Sequence, residues 1–387
     1  MRRRSYISQY LKDLVPVAFE LETAREFQAF GTGPAQFKVK LNRDIPKREL
    51  LRSTSLALGE AYIRGDVEID RDLYEVLDMF LGQIEHFRLS PAALHGLLHS
   101  SLAAKKQQQE VSSHYDIGND FYRLWLDETM SYSCGYFKNP GDSLFEAQVA
   151  KADLILKKLH LEMGMTLLDV GCGWGFLLMR AARRYGVKGV GITLSKEQYQ
   201  QFSKEIKEQH LEGFLEVRLM DYRELPKSGL QFDRVVSVGM LEHVGRGNYG
   251  VFLKHIGEIL KPGGLFLLHF ISAQKEHAGD PFLRKYIFPG GVIPSLREVV
   301  DLLPEYDFRT LDVESLRLHY TRTLLCWLDN FRKHRERITK ERGEEFVRMW
   351  ELYLAACGAA FHQGIVDLHQ ILMSKGVNNE LPMVRVV

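Results

Sequence analysis

From about residue 148 onward the chain alternates between short runs of consecutive apolar positions and longer segments with helical spacing. The runs at 166–171, 188–192, 215–219, 232–238 and 264–271 are predicted strands, with helices between them. VKGVGI, DRVVSV and LFLLHFI are apolar on both faces, as parallel strands covered by helices require. Helices near 320–340 and 344–362 and a last strand at 366–373 complete this part. The first hundred residues are mixed: SYISQYLKDL is an amphipathic helix candidate, QFKVKL alternates like a strand, and RDLYEVLDMFLGQI has helical period. The pattern predicts an α/β protein with a doubly wound sheet and a smaller α+β N-terminal domain. Residues 1–102 form that accessory domain, 103–114 a linker of low apolar content, and 115–387 the main domain.

Composition narrows the class. Across 387 residues, 51 Lys and Arg offset 50 Asp and Glu, so the chain lacks the basic excess of a general nucleic-acid binder. Cys134, Cys172, Cys326 and Cys357 have no C-x-x-C spacing, which argues against a zinc site or a disulfide framework and fits a reducing cytosol. No metal is expected. The start, MRRRSYISQYLKDL, is basic but lacks the apolar core of a signal peptide. No apolar stretch approaches the roughly 20 residues that span a bilayer. The expectation is a soluble protein able to visit a membrane surface.

Candidate chemistry concentrates at the strand ends. LLDVGCGWG (167–175) is a buried strand that opens into a turn with glycines at 171, 173 and 175, then a helix. Its G-x-G-x-G spacing differs from the dinucleotide fingerprint, and no Walker lysine follows. It resembles the first motif of S-adenosylmethionine-dependent methyltransferases. Later strands end in Thr193, Leu194 and Ser195, in Asp221, in Glu242 and His243, and in His269. One polar strand end is ordinarily a cap or a turn. Five on one rim indicate a binding crevice. A histidine interrupting LFLLHFI is ordinarily a core residue, but Glu242 and His269 together are suited to hold an anionic base. Cys134 in MSYSCGYF has no activating base nearby and is not read as a nucleophile. The basic run RKHRERITKER (332–342) is either a solvated helix face or an attraction to anionic lipid.

Together these motifs resemble the cyclopropane-fatty-acid-phospholipid synthase family, which includes the mycolic acid cyclopropane synthases. The match runs from about residue 110 to 376, through HYDIGNDFYRLWLD, MSYSCGYF, AQVAKADLILKKL, LLDVGCGWG, GVGITLSKEQ, RVVSVGMLEHVG, LLHFIS, KYIFPGG, HYTRTLLCW and YLAACGAAF. LGEAYIRGDVEID in the first hundred residues is similar to the extra N-terminal domain of the phospholipid-modifying members, which tilts the substrate towards membrane phospholipid.

The resemblance implies a class I methyltransferase Rossmann-like sheet and a defined chemistry. An acyl double bond attacks the methyl of S-adenosylmethionine, and bound bicarbonate removes a proton so that a cyclopropane ring closes. It implies a bicarbonate cradle made of the Cys134 backbone, Glu242, His269, the Ile271 backbone and Tyr320. It places Tyr132, Ser133, Gly171, Gly173, Thr193, Leu194 and Gln198 around the cofactor. Tyr136, Phe270 and Phe288 are candidates for cation–π stabilisation of the carbocation. It further implies unsaturated phospholipid as substrate, a peripheral contact at the inner face of the membrane, a cytoplasmic location and a homodimer. The alternative keeps fold and cofactor but ends in a methyl-branched, methylene or hydroxylated chain. The absence of an N-P-P-Y-type motif after the fourth strand argues against nucleic acid as substrate.

Overall fold

A computed structural model describes residues 17–24, 26–82, 117–277 and 279–384. The helix expected in SYISQYLKDL and the linker at 103–114 lie outside the described residues. Near the N-terminus a four-stranded sheet has the order β2-β1-β3-β4. Its strands are β1 (Phe19–Thr23), β2 (Phe27–Phe30), β3 (Lys38–Leu41) and β4 (Val67–Ile69). Helices Lys47–Arg52, Thr54–Ile63 and Leu73–Leu81 accompany it. Ser53 caps the second by accepting the Leu56 amide, and Asp72 caps the third by accepting those of Tyr74 and Glu75. Phe19, Leu21, Phe37 and Leu50 are buried in this unit's own core.

The larger sheet has seven strands in the order β10-β11-β9-β8-β5-β6-β7. They are β5 (Thr166–Val170), β6 (Lys188–Thr193), β7 (Leu215–Leu219), β8 (Phe232–Val238), β9 (Leu260–Ala273), β10 (Phe308–Ser315) and β11 (Val366–Lys375). The five strands β9, β8, β5, β6 and β7 are parallel. β5 lies where the strand order reverses, so the glycine turn at its carboxyl end opens into the crevice at the switch point. All five expected parallel strands are present, as is the last strand, which runs antiparallel to both neighbours.

Strand β10 has no counterpart in the sequence reading. FRTLDVES is charged and mostly exposed because it pairs on one side only, so it lacks the apolar run that marks the inner strands. The helix expected near 320–340 is also divided, into Arg317–Lys333 and Arg335–Arg342, with His334 between them. Three arginines of its basic run are ion-paired. Arg332 meets Asp72 at 2.7 Å, Arg337 meets Glu341 at 2.8 Å, and Arg335 pairs with Glu344.

The two units share an interface. Helix Glu344–His362 packs on Leu73–Leu81 and Thr54–Ile63. Arg348 donates to the carbonyls of Tyr62 and Val67, and Glu60 accepts from Tyr286. No helix among the described residues is long and apolar enough to cross a membrane.

Candidate active site

The crevice at the end of β5 is lined by all seven residues that the resemblance placed at the cofactor: Tyr132, Ser133, Gly171, Gly173, Thr193, Leu194 and Gln198. Gly171 and Gly173 have φ of 85° and 56°, a region that side chains disfavour. A Cβ on Gly173 would meet nothing within 4 Å, leaving its backbone open to a ligand. The third glycine has another reason. A Cβ on Gly175 would stand 2.2 Å from the Phe202 ring, so this position serves packing against the helix Lys196–Glu208. Thr193 Oγ1 donates to Gln198 Oε1 at 2.7 Å and accepts the Ser195 amide, which fixes the turn after β6.

Two buried charges that the sequence reading passed over also line this crevice, Asp169 and Lys151. Burial pushes the Asp169 carboxyl up to about 7, with Lys151 acting against the shift. Its Oδ1 is buried and has no partner among the described residues. Burial lowers the Lys151 ammonium to about 8, and its Nζ donates to Ser133 Oγ at 2.9 Å. A legible signal existed. Lys151 and Lys158 are two turns apart on the same helix as buried Leu144, Ala147 and Leu154, so they share its inner face.

The five residues assigned to a base are not in the crevice lining. Cys134 precedes the helix Leu144–Lys158, Glu242 follows β8, His269 and Ile271 lie on β9, and Tyr320 lies on the helix Arg317–Lys333. Cys134, Glu242 and His269 are buried, and Ile271 and Tyr320 partly so. Glu242 lies in the first turn of the short helix Leu241–Val244 after β8 and is buried. Its Oε1 accepts the Ile271 amide at 2.6 Å, whereas Oε2 has no partner among the described residues. Burial pushes its carboxyl up to about 7, opposed by the Ile271 hydrogen bond. The carbonyl of Glu242 accepts from Val292, which ties it to the loop that follows the IFPGG motif.

Along β9, Leu265, Leu267 and His269 alternate with Phe266, Leu268 and Phe270. The second set joins a core cluster with Val235 and Phe252 on the opposite face, so Phe270 is not placed to stabilise a cation beside His269. Burial holds the His269 imidazole down near 3, helped by Lys151 and Lys158, so the ring is neutral. Its Nε2 is buried without a partner among the described residues.

Tyr320 packs its ring 4.6 Å from that of Phe361. Burial, then Tyr353, Cys134 and Glu242, raise its phenol well above the ordinary value. Cys134 is fully buried and its thiol is likewise raised, so it is no thiolate nucleophile. Gly135, the next residue, is fixed by Thr323 Oγ1 at 2.9 Å.

Aromatic rings crowd this region. Tyr132 lies among Tyr122, Trp125 and Trp327 and shares a 2.6 Å hydrogen bond with Tyr353. Phe288 meets Tyr353 and His243 edge-on, and Tyr136 stacks on His319 at 4.7 Å. Among the described residues no cluster of His, Cys, Asp and Glu is able to hold a metal ion.

Comparison with known proteins gives the family and the fold. The family described as mycolic acid cyclopropane synthetase matches residues 102–371, and a domain family of unknown function matches residues 6–89. The cyclopropane-fatty-acyl-phospholipid synthase of Escherichia coli (strain K12) is 39% identical over 95% of either chain. A probable fatty acid methyltransferase of Pseudomonas putida is 38% identical over 85% of either chain. The crystal structure of the mycolic acid cyclopropane synthase CmaA1 complexed with SAH and CTAB superposes with a TM-score of 0.65 at 35% identity. It covers 69% of this chain and 98% of its own. With the class I methyltransferase sheet in place, the chain belongs to the mycolic acid cyclopropane synthetase family of enzymes.

Proposed function

We propose that this enzyme converts the double bond of unsaturated phospholipid acyl chains into a cyclopropane ring, with S-adenosylmethionine as donor and bicarbonate as base. The observation that carries the proposal is the pair of orphaned buried atoms, Glu242 Oε2 and His269 Nε2. A buried polar atom without a protein partner calls for an explanation, and two on facing elements of one site are accounted for by a bound ion. The anionic oxygens of bicarbonate can accept from His269 Nε2, from the Tyr320 hydroxyl and, with the Glu242 carboxyl neutral, from its Oε2.

S-adenosylmethionine supplies an electrophilic methyl on sulfur. Tyr132, Ser133, Gly171, Gly173, Thr193, Leu194 and Gln198 would hold it, and the open backbone at Gly173 and the unpaired Asp169 oxygen fit such a group. The double bond gives its π pair to that methyl as the carbon–sulfur bond breaks. Loss of a proton from the new methyl then lets its C–H pair close the ring. Water would capture the carbocation, so the base must be held ready in a dry site. A cradle made of Cys134, Glu242, His269, Ile271 and Tyr320 meets that need. Burial raises the Glu242 carboxyl to about 7, which favours its neutral form and so eases the setting of an anion beside it.

Residues 1–102 are assigned to lipid engagement, 103–114 to a linker and 115–387 to catalysis. The protein is assigned to the cytoplasm, peripheral at the inner membrane face, as a homodimer.

The test is turnover by enzyme freed of carbonate, with and without added bicarbonate. Added bicarbonate should restore activity. Glu242→Gln, His269→Ala and Tyr320→Phe should each lower kcat on the order of a hundredfold, the effect of losing one transition-state partner, with cofactor affinity retained. Full activity without bicarbonate, together with three normal variants, would remove the base from this cradle.

A further inference from the structure

Strand β11 sets Gln370 directly across from His269 on β9, and Lys158, at the end of the helix Leu144–Lys158, reaches both strands' buried face. Lys158 Nζ donates to Gln370 Oε1 at 2.9 Å, and Gln370 Nε2 lies 3.2 Å from His269 Nδ1. Lys158 is itself held by two carboxylates of the edge strand β10, Asp312 at 3.4 Å and Glu314.

An ammonium group has donors only, and an amide has one accepting and one donating end. Lys158 therefore holds the amide oxygen of Gln370 and turns its NH2 towards the imidazole. The reverse orientation would set the amide NH2 against the ammonium, donor against donor, and forfeit the hydrogen bond between them in a dry interior. Facing a donor, Nδ1 must accept. A neutral ring then carries its proton on Nε2, the atom left without a partner among the described residues.

We infer that Lys158 and Gln370 are positioning residues that hold His269 as the Nε2–H tautomer, so that this nitrogen donates to the anion in the cradle. This rests on the reading that His269 belongs to an anion cradle. It gives the charged pattern of β10 a purpose, because Asp312 and Glu314 anchor the ammonium that orients the amide.

Nitrogen NMR of protein labelled at histidine, with His269 assigned from its loss in His269→Asn, reads which ring nitrogen is protonated. The wild type should show the proton on Nε2. Gln370→Glu keeps the Lys158 contact but places an acceptor at Nδ1, so the proton should move there. Its kcat should fall on the order of a hundredfold, as for loss of one oriented donor, with cofactor affinity unchanged. Lys158→Met, which frees the amide to turn, should give a mixture of tautomers and an intermediate kcat. It serves as the second arm if Gln370→Glu fails to bind cofactor. An unchanged tautomer in the variants overturns the inference. So does a moved proton with normal kcat while His269→Ala is inactive. Normal turnover by His269→Ala instead overturns the cradle, and the NMR result still decides the tautomer.

Discussion

The Ile271 amide donates to Glu242 Oε1 at 2.6 Å, so the turn after β8 is fastened to the carboxyl end of β9 through a carboxyl group whose other oxygen is buried and has no partner among the described residues. The Ile271 N–H is thereby committed to Glu242, so any direct contact of this residue with a ligand would be through its carbonyl. The bond also fixes which carboxyl oxygen is left for a ligand.

The same bond sets a pH prediction. Burial raises Glu242 from its ordinary 4.5 to about 7. Between those values the folded chain keeps a proton that the unfolded chain has released, so this group's contribution to stability is lost as pH rises through the window. Glu242→Gln does not titrate and can still accept from Ile271. Its melting temperature relative to wild type should therefore increase from pH 4.5 to about 7 and level off above. The histidine contributions are common to both proteins and cancel. Parallel melting curves across that range would place Glu242 in a wetter site.

The glycine turn should separate into two kinds of position. Gly173→Ala puts a methyl into open space with a left-handed backbone, at a cost of roughly 1–2 kcal/mol. It should fold and lose cofactor affinity in calorimetry. Gly175→Ala drives a Cβ to 2.2 Å from the Phe202 ring and should lose stability before any question of binding arises. Normal affinity in Gly173→Ala would contradict the placement of the cofactor over this turn.

The basic run at 332–342 is expected to act within the protein. Arg332 and Arg335 flank Glu351 at 3.9 and 3.6 Å, and Arg332 also joins Asp72 in the N-terminal unit. Replacing both with Gln should lower stability by about 1–2 kcal/mol, as expected for partly exposed pairs beside a buried carboxylate. The salt dependence of binding to anionic vesicles should stay the same. A midpoint of denaturation equal to wild type, with weaker vesicle binding, would return this run to the membrane surface.

Much of the fold was legible because the inner strands are covered on both faces and so carry unbroken apolar runs, as in LFLLHFI. The strand ends were legible for the same reason, since polar residues such as Thr193 and Glu242 stand out against them. Strand β10 was not, because an edge strand with alternating exposed charges lacks that signal. Lys151, Lys158 and Gln370 were missed because charge and amide groups read as surface, whereas here each is buried on hydrogen bonds supplied by distant segments. Phe270 illustrates the opposite error. It neighbours His269 in sequence, but the period of two along a strand sends it to the other face.

The central claim is tested most directly by the product. Purified enzyme, S-adenosylmethionine and vesicles of an unsaturated phospholipid are incubated with bicarbonate, and the released acyl chains are identified by mass spectrometry with proton NMR. The account predicts chains one methylene heavier that carry the high-field resonances of a cyclopropane ring and no remaining double bond. Chains of the same mass bearing a methyl branch or a displaced double bond, or no methylated chain at all, would contradict it.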